Sequence, residues 1–211
     1  MKRSLIFALV LALLLAAPVR AAEPFHPAYL AGYPDGTVRP LAPATRAETA
    51  MMLWRLLTPE ARESLAGEQT CFRDVLPGHW AYRAVSALVS LGVLLGGRGG
   101  AFRPDTAITG EELAEALTRA AGLARAKEAL PGVCAPHEVS GGPLTRADAA
   151  RLLNAALGRS PGSPDDLAGG MRLWPDNRDE SAAYYLDIQE AATGHTCTKN
   201  EAGQETWTGL G

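Results

Sequence analysis

The feature that most limits how this chain can fold is that it repeats itself. Gly32-Tyr33-Pro34-Asp35-Gly36-Thr37-Val38-Arg39-Pro40, then Thr45-Arg46-Ala47-Glu48, aligns without a gap on a later stretch. That stretch is Gly96-Gly97-Arg98-Gly99-Gly100-Ala101-Phe102-Arg103-Pro104, then Thr109-Gly110-Glu111-Glu112. A third helix start, Thr145-Arg146-Ala147-Asp148, follows Leu144 where the second copy has Ile108. Its glycine-rich turn is reduced to Ser140-Gly141-Gly142-Pro143. Units this short cannot bury an apolar face alone, so the copies must stack and share a core.

Each Thr-x-x-Glu (or Asp) before an apolar run is a capping box. The threonine side chain accepts the N–H three residues on, and the acidic side chain returns to the threonine N–H. Arg46 and Arg146 take no part in the box and face the positive end of the helix dipole, which is unfavourable by roughly 0.3–1 kcal/mol. Another interaction must hold them there. Pro34, Asp35 and Gly36 form a turn, followed by a short extended Thr37-Val38-Arg39. The capped helices carry Ala50, Leu53, Trp54 and Leu57 on one face in the first copy, and Ala149, Leu152, Leu153, Ala156 and Leu157 in the third, where Gly158 is a natural stop.

A second helix type lies between them. Phe72-Arg73-Asp74-Val75 leads through Pro77-Gly78 to His79-Trp80-Ala81-Tyr82, and Ala81, Val85, Leu88 and Val89 mark an apolar face that ends at Gly92. The tail has a relative of it in Trp174-Pro175-Asp176-Asn177 and Ala182–Ala191, and Leu123 to Cys134 is the worn third equivalent. The first capped helix has no such partner upstream, whereas the tail has no capped helix after it. The expected architecture is therefore mainly α: three degenerate repeats in a pseudo-threefold arrangement, permuted so that the C-terminal helix completes the first.

Lys2 and Arg3, the apolar Leu5 to Ala17 and Val19-Arg20-Ala21 read as a secretory signal over 1–21, too short for a confident membrane span. Removing its three basic residues takes the formal charge from −3 to −6, against binding of nucleic acid or anionic membranes by bulk charge. The expected divisions are 22–66, 67–124 and 125–211, the last combining the degenerate third repeat with the closing tail. Cys71, Cys134 and Cys197 allow one pair with a leftover thiol, or three buried thiols. With His79, His137 and His195 they show no C-x-x-C or H-x-x-x-H spacing, so no metal or other cofactor is expected.

FRDVLPGHWAY, LGVLLGGRGGAFRPDTAITGEE, AGYPDGTVRPLAPATRAE and PLTRAD resemble the S-layer homology domains of bacterial cell-envelope proteins. The likeness runs from about His26 to the end, and YYLDIQEAATGHTCTKNEAGQETWTGL is similar to a closing segment found in some of these domains. The resemblance implies grooves that bind secondary cell-wall polysaccharide, typically bearing a pyruvate ketal, and so anchor a secreted protein to the wall. It implies ligand-binding roles for Arg46, Arg146, Trp80, Gly32 and Asp74. A carboxylate would suit an arginine fork at a helix N-terminus with spare N–H groups.

Each residue also has a structural reading. Arg46 and Arg146 can bridge to Asp74, Asp176 or a neighbouring carbonyl, Trp80 and Trp174 can be core, and Gly32 can serve a tight turn. Gly110 and Gly97 depart from the pattern in the second copy, and the third has lost its turn, so the first copy alone looks intact. A wall glycosidase would need two carboxylates about 5–10 Å apart in a cleft, whereas the acidic residues here have capping, turn or surface explanations. The alternative to sugar binding is a scaffold holding an envelope protein in degenerate grooves.

Overall fold

The computed structural model describes residues 23–97, 99–136 and 141–211. The signal-like segment, Arg98, His137 and Ser140 lie outside the described residues. Helices α1 (Arg46–Leu56), α4 (Gly110–Gly122) and α6 (Arg146–Leu157) begin with complete capping boxes at Thr45, Thr109 and Thr145. Between them run α2 (Pro59–Ser64), α3 (Tyr82–Ser90) and α5 (Ala124–Ala129), and α7 (Tyr185–Ala192) follows. Gly92 (φ 73°) follows the end of α3, and Gly158 (φ 63°) caps α6; both left-handed positions favour glycine.

The three helix starts meet in a closed ring of backbone hydrogen bonds. Ala44 N donates to Leu144 O (2.9 Å), Leu144 N to Ile108 O (2.9 Å) and Ile108 N to Ala44 O (2.8 Å). A second tier lies just inside the helices, where Arg46 N donates to Thr106 O, Gly110 N to Gly142 O and Arg146 N to Ala42 O, each at 2.9 Å. Donors that a helix start leaves unmatched are thus satisfied by the preceding loop of another copy. Outside the ring each capped helix packs on a second one, α1 on α3, α4 on α5 and α6 on α7. Leu53, Leu88, Leu113, Leu117, Leu153 and Ile188 are fully buried in the shared core.

The loops before α1 and α4 are built alike from unlike parts of the chain. Asp74 accepts hydrogen bonds from Phe102 N (2.8 Å) and Arg103 N (2.7 Å), while Asp176 accepts them from Val38 N (3.0 Å) and Arg39 N (2.7 Å). Arg39 and Arg103 both take left-handed backbone angles (φ 51° and 60°), costing roughly 1–2 kcal/mol each. The aspartate gripping two successive N–H groups holds the chain in that conformation. Gly96 packs on the Phe72 ring and Gly32 on the Trp174 ring, so close that a Cβ at Gly32 would lie 2.2 Å from it. The tail therefore supplies to the first loop what residues 72–74 supply to the second.

The mainly α expectation is corrected by a three-stranded antiparallel sheet. It contains β1 (Phe25–His26), β2 (His195–Lys199) and β3 (Glu205–Leu210), in that spatial order. Helix, a short 3-10 turn included, accounts for 37% of the described chain, and strand together with isolated bridges for 12%. Cys197 lies opposite Trp207 and Thr196 opposite Phe25. Along β2 and β3, His195, Cys197, Glu205 and Trp207 are buried, while Thr198, Thr206 and Thr208 are exposed. That period of two is a strand pattern, joined by a turn in which Gly203 N donates to Asn200 O. The strand expected at Thr37–Arg39 does not form, because Arg39 is left-handed and the N–H groups of Val38 and Arg39 are held by Asp176. All three cysteines are free; only Cys197 is buried, and Cys71 and Cys134 are exposed.

Asp176→Ala removes two charge-assisted hydrogen bonds and should lower stability to urea by about 2 kcal/mol. An unchanged denaturation midpoint would show that the tail does not hold the first loop in place.

Candidate functional groove

Arginine at the first helical position is explained by its reach into another copy's loop. Arg146, only 3% exposed, donates from Nε to Val38 O (2.9 Å), from Nη2 to Ala31 O (2.7 Å) and from Nη1 to Glu48 Oε1 (3.1 Å). Arg46 repeats this on the second loop, with Phe102 O (2.8 Å), Leu95 O (2.7 Å) and Glu112 Oε1 (2.8 Å). Each guanidinium also lies over a ring, Arg146 over Tyr33 and Arg46 over Phe102. The carboxylate that receives it is the capping-box glutamate, whose other oxygen accepts the threonine N–H. Gly110 gives the third link no arginine, and Asp148 there accepts its hydrogen bonds from Thr145.

The pairing of arginine with loop thus differs from sequence order. The intact Gly32–Pro40 loop is served by Arg146, and Arg46 serves the glycine-rich loop at 96–104. Nor are the helix-start N–H groups spare. Those of Arg46 and Ala47 donate to Thr106 O and Pro104 O, and that of Glu48 to Thr45 Oγ1.

Two grooves follow. The larger, about 570 Å³, is lined by Gly32, Tyr33, Glu48, Met51, Arg55, Trp80 and Arg146, among others. It brings together three residues singled out in the sequence, Gly32, Trp80 and Arg146. Trp80 is 60% exposed. Tyr33 donates its hydroxyl to Glu48, and burial with that hydrogen bond raises its pKa. Arg55, half-buried, donates to Tyr29 O (3.2 Å), and among the described residues it pairs with no carboxylate. Burial, with the charge of Arg146 close by, pulls its pKa down. The second groove, about 270 Å³, contains Arg46, Arg103 and Arg119. Arg119, which stands where the first copy has Arg55, is paired with Glu115 at 2.6 Å.

Asp74 lines neither groove. Burial raises its carboxyl, but the donations from Phe102 and Arg103 outweigh this and hold it below the ordinary carboxylate value. Trp174 is buried beneath Gly32, with Arg172 stacked 3.9 Å from its ring. Arg55 and Tyr33 were missed as candidates from sequence. The available signal was the stripe Glu48, Met51 and Arg55 on one face of α1, repeated as Glu112, Glu115 and Arg119 on α4.

Residues 29–50 and 72–114, which hold both loops, Trp80 and the first two caps, match the model of the S-layer homology domain. Those two segments are S-layer homology sequence. The chain is also 30% identical over 206 residues to Cell surface glycoprotein 1 of Acetivibrio thermocellus, a match covering 81% of this chain and 9% of that protein. A 33% identity over 89 residues relates it to the Cellulosome-anchoring protein of the same organism, covering 42% of this chain and 20% of the relative. The chain thus spans a small part of each of these relatives. Among the described residues, no helix is long and apolar enough to cross a membrane.

Arg146→Ala would strand two carbonyls and leave Glu48 without its ion pair, lowering stability by about 3 kcal/mol. Arg46→Ala should have a similar effect through Leu95, Phe102 and Glu112. Losses under about 0.5 kcal/mol in urea denaturation, the range of ordinary surface changes, would mean that the bridges contribute little to the fold.

Proposed function

We propose that this chain is a non-catalytic anchoring module that holds to the bacterial cell wall by binding secondary wall polysaccharide in the Trp80 groove. The observation that carries the reading is one cleft with an exposed tryptophan face beside Arg55, a cation with no carboxylate partner among the described residues. Trp80 offers a pyranose an apolar platform. Arg55 offers an anionic substituent, such as a pyruvate ketal, a charge-assisted hydrogen bond. Arg146, held against three acceptors, shapes the groove wall and adds positive potential. Gly32 lets the loop lie flat on Trp174. Arg46 plays the same part in the smaller groove, where Glu115 offsets Arg119, and Asp74 fixes that groove's loop. On this reading 22–66, 67–124 and 125–211 are the successive repeats, 1–21 directs export, and the protein resides at the cell surface. The names of the two relatives, a cell-surface glycoprotein and an anchoring protein, support the same placement.

A protein partner is the second reading, favoured by the exposure of Leu76 beside Trp80 on the turn before α3. The two readings separate on ligand chemistry. Arg55→Ala and Trp80→Ala should each weaken binding of a pyruvylated wall fragment by about tenfold or more, from loss of one charge-assisted contact or one aromatic face. Their melting temperatures should stay near that of the parent. Equal binding by both variants, or equal binding of a fragment with its pyruvate removed, would reject the proposed site.

A further inference from the structure

The sheet that joins the two ends of the described chain encloses a cluster of side chains that neither the ring nor the grooves use. His26 on β1, His195 and Cys197 on β2 and Glu205 on β3 place one ligand-type atom each within 4.8 Å of one another. Cys197 Sγ lies 3.8 Å from His26 Nδ1, and Glu205 Oε1 lies 3.7 Å from the same nitrogen. Tetrahedral zinc with bonds of 2.0–2.3 Å separates its ligands by about 3.3–3.8 Å, so small side-chain adjustments would bring these four onto one ion.

The polar accounting of the cluster points to a ligand. His195 Nδ1 lies 2.9 Å from Thr193 O, a contact that puts the proton on Nδ1 and leaves a lone pair on Nε2. Nε2 faces Glu190 Oε2 at 3.3 Å, an oxygen that already accepts the Trp207 indole N–H at 3.0 Å. A lone pair therefore faces a carboxylate oxygen. His195, Glu190 and Glu205 are fully buried, and His195 Nε2, Glu190 Oε1 and Glu205 Oε1 have no hydrogen-bond partner among the described residues. Buried acceptors left without a hydrogen bond are costly. Two cations flank the cluster. Lys199 Nζ is 3.2 Å from Glu205 Oε1 without hydrogen-bond geometry, and Arg159 donates to Pro27 O. A histidine ring held from behind by a backbone carbonyl, its other nitrogen without a hydrogen bond, has the usual support of a metal-ligating imidazole.

We propose that His26, His195, Cys197 and Glu205 bind one divalent ion of the zinc class, with Thr193 orienting the His195 ring from outside. One thiolate, two imidazoles and one carboxylate suit zinc or cobalt and ill suit calcium or magnesium, which take oxygen ligands. Cys197 gives up its thiol proton on binding, and the carboxylate and thiolate together match the charge of the ion. The ion would pin β1 to the β2–β3 hairpin. Spacing could not reveal the site, because His26 and Cys197 are 171 residues apart and meet only across the sheet.

The chain, stripped with a chelator and kept reduced, should be titrated with zinc by calorimetry and with cobalt by absorption. The expected result is one ion per chain, thiolate-to-cobalt charge-transfer absorption with intense tetrahedral d–d bands, and a melting temperature that rises with free zinc. Cys197→Ser should abolish the charge-transfer band, and both it and His26→Gln should weaken zinc binding by at least about tenfold. Cys71→Ser and Cys134→Ser should change neither. If stripped and zinc-loaded protein melt together, or if Cys197→Ser and His26→Gln bind like the folded parent, the site does not exist.

Discussion

The three capped helices are positioned by the ring in which Ala44, Ile108 and Leu144 donate to one another in turn. A helix start leaves N–H groups without partners, and here the partners are carbonyls of a different copy. This fixes three helix N-termini about one centre before any side chain is considered. It also decides where the arginines that follow two of the caps must go. Leaving the helix beside another copy's loop, Arg146 meets carbonyls of Ala31 and Val38 with the capping glutamate between them. The adverse dipole term is offset by those acceptors and by a carboxylate that serves cap and bridge together. Where Gly110 removes the arginine, the receiving residue is the shorter Asp148, so both members of that link are reduced.

Much of the local structure was legible in the sequence. The capping boxes, the helix-stopping glycines and the apolar faces follow from spacing and chemistry confined to a few residues. The order in which copies serve one another is not written at that scale. Nothing near Arg46 shows that its guanidinium ends 49–66 residues away, at Leu95, Phe102 and Glu112. The sheet escaped notice because its strands carry threonine, histidine, lysine and glutamate in place of a run of valine and isoleucine, so the alternation of burial was masked by polarity. Trp80 and Arg146 stood out as a large ring before a helix and a charge in an unfavourable position. Arg55 carries no such mark in the sequence, and its want of a carboxylate partner among the described residues emerges only from the fold.

The two grooves show how small substitutions within one scaffold change chemical character. Met51 and Glu115 stand at equivalent places on α1 and α4. The methionine leaves Arg55 free of a local partner, whereas the glutamate takes up Arg119. Tyr33 and Gly97 are likewise equivalent, and with glycine the Arg103 side chain lies where a Cβ at Gly97 would be 3.3 Å from its Nη2. One copy thus presents an exposed tryptophan beside an arginine with no carboxylate partner among the described residues, the other an arginine taken up by a glutamate of its own helix.

The contacts of Asp176 with Val38 and of Arg146 with Ala31 join parts of the chain more than 100 residues apart. Loop-closure entropy must be overcome before such pairings are rewarded, and folding slows as contacts become less local. During synthesis from the N-terminus, the first loop cannot settle on its tryptophan floor until Trp174 and Asp176 have been made. The larger groove therefore comes into being late in synthesis and as a unit, and a chain halted at α6 would expose the first loop without its floor.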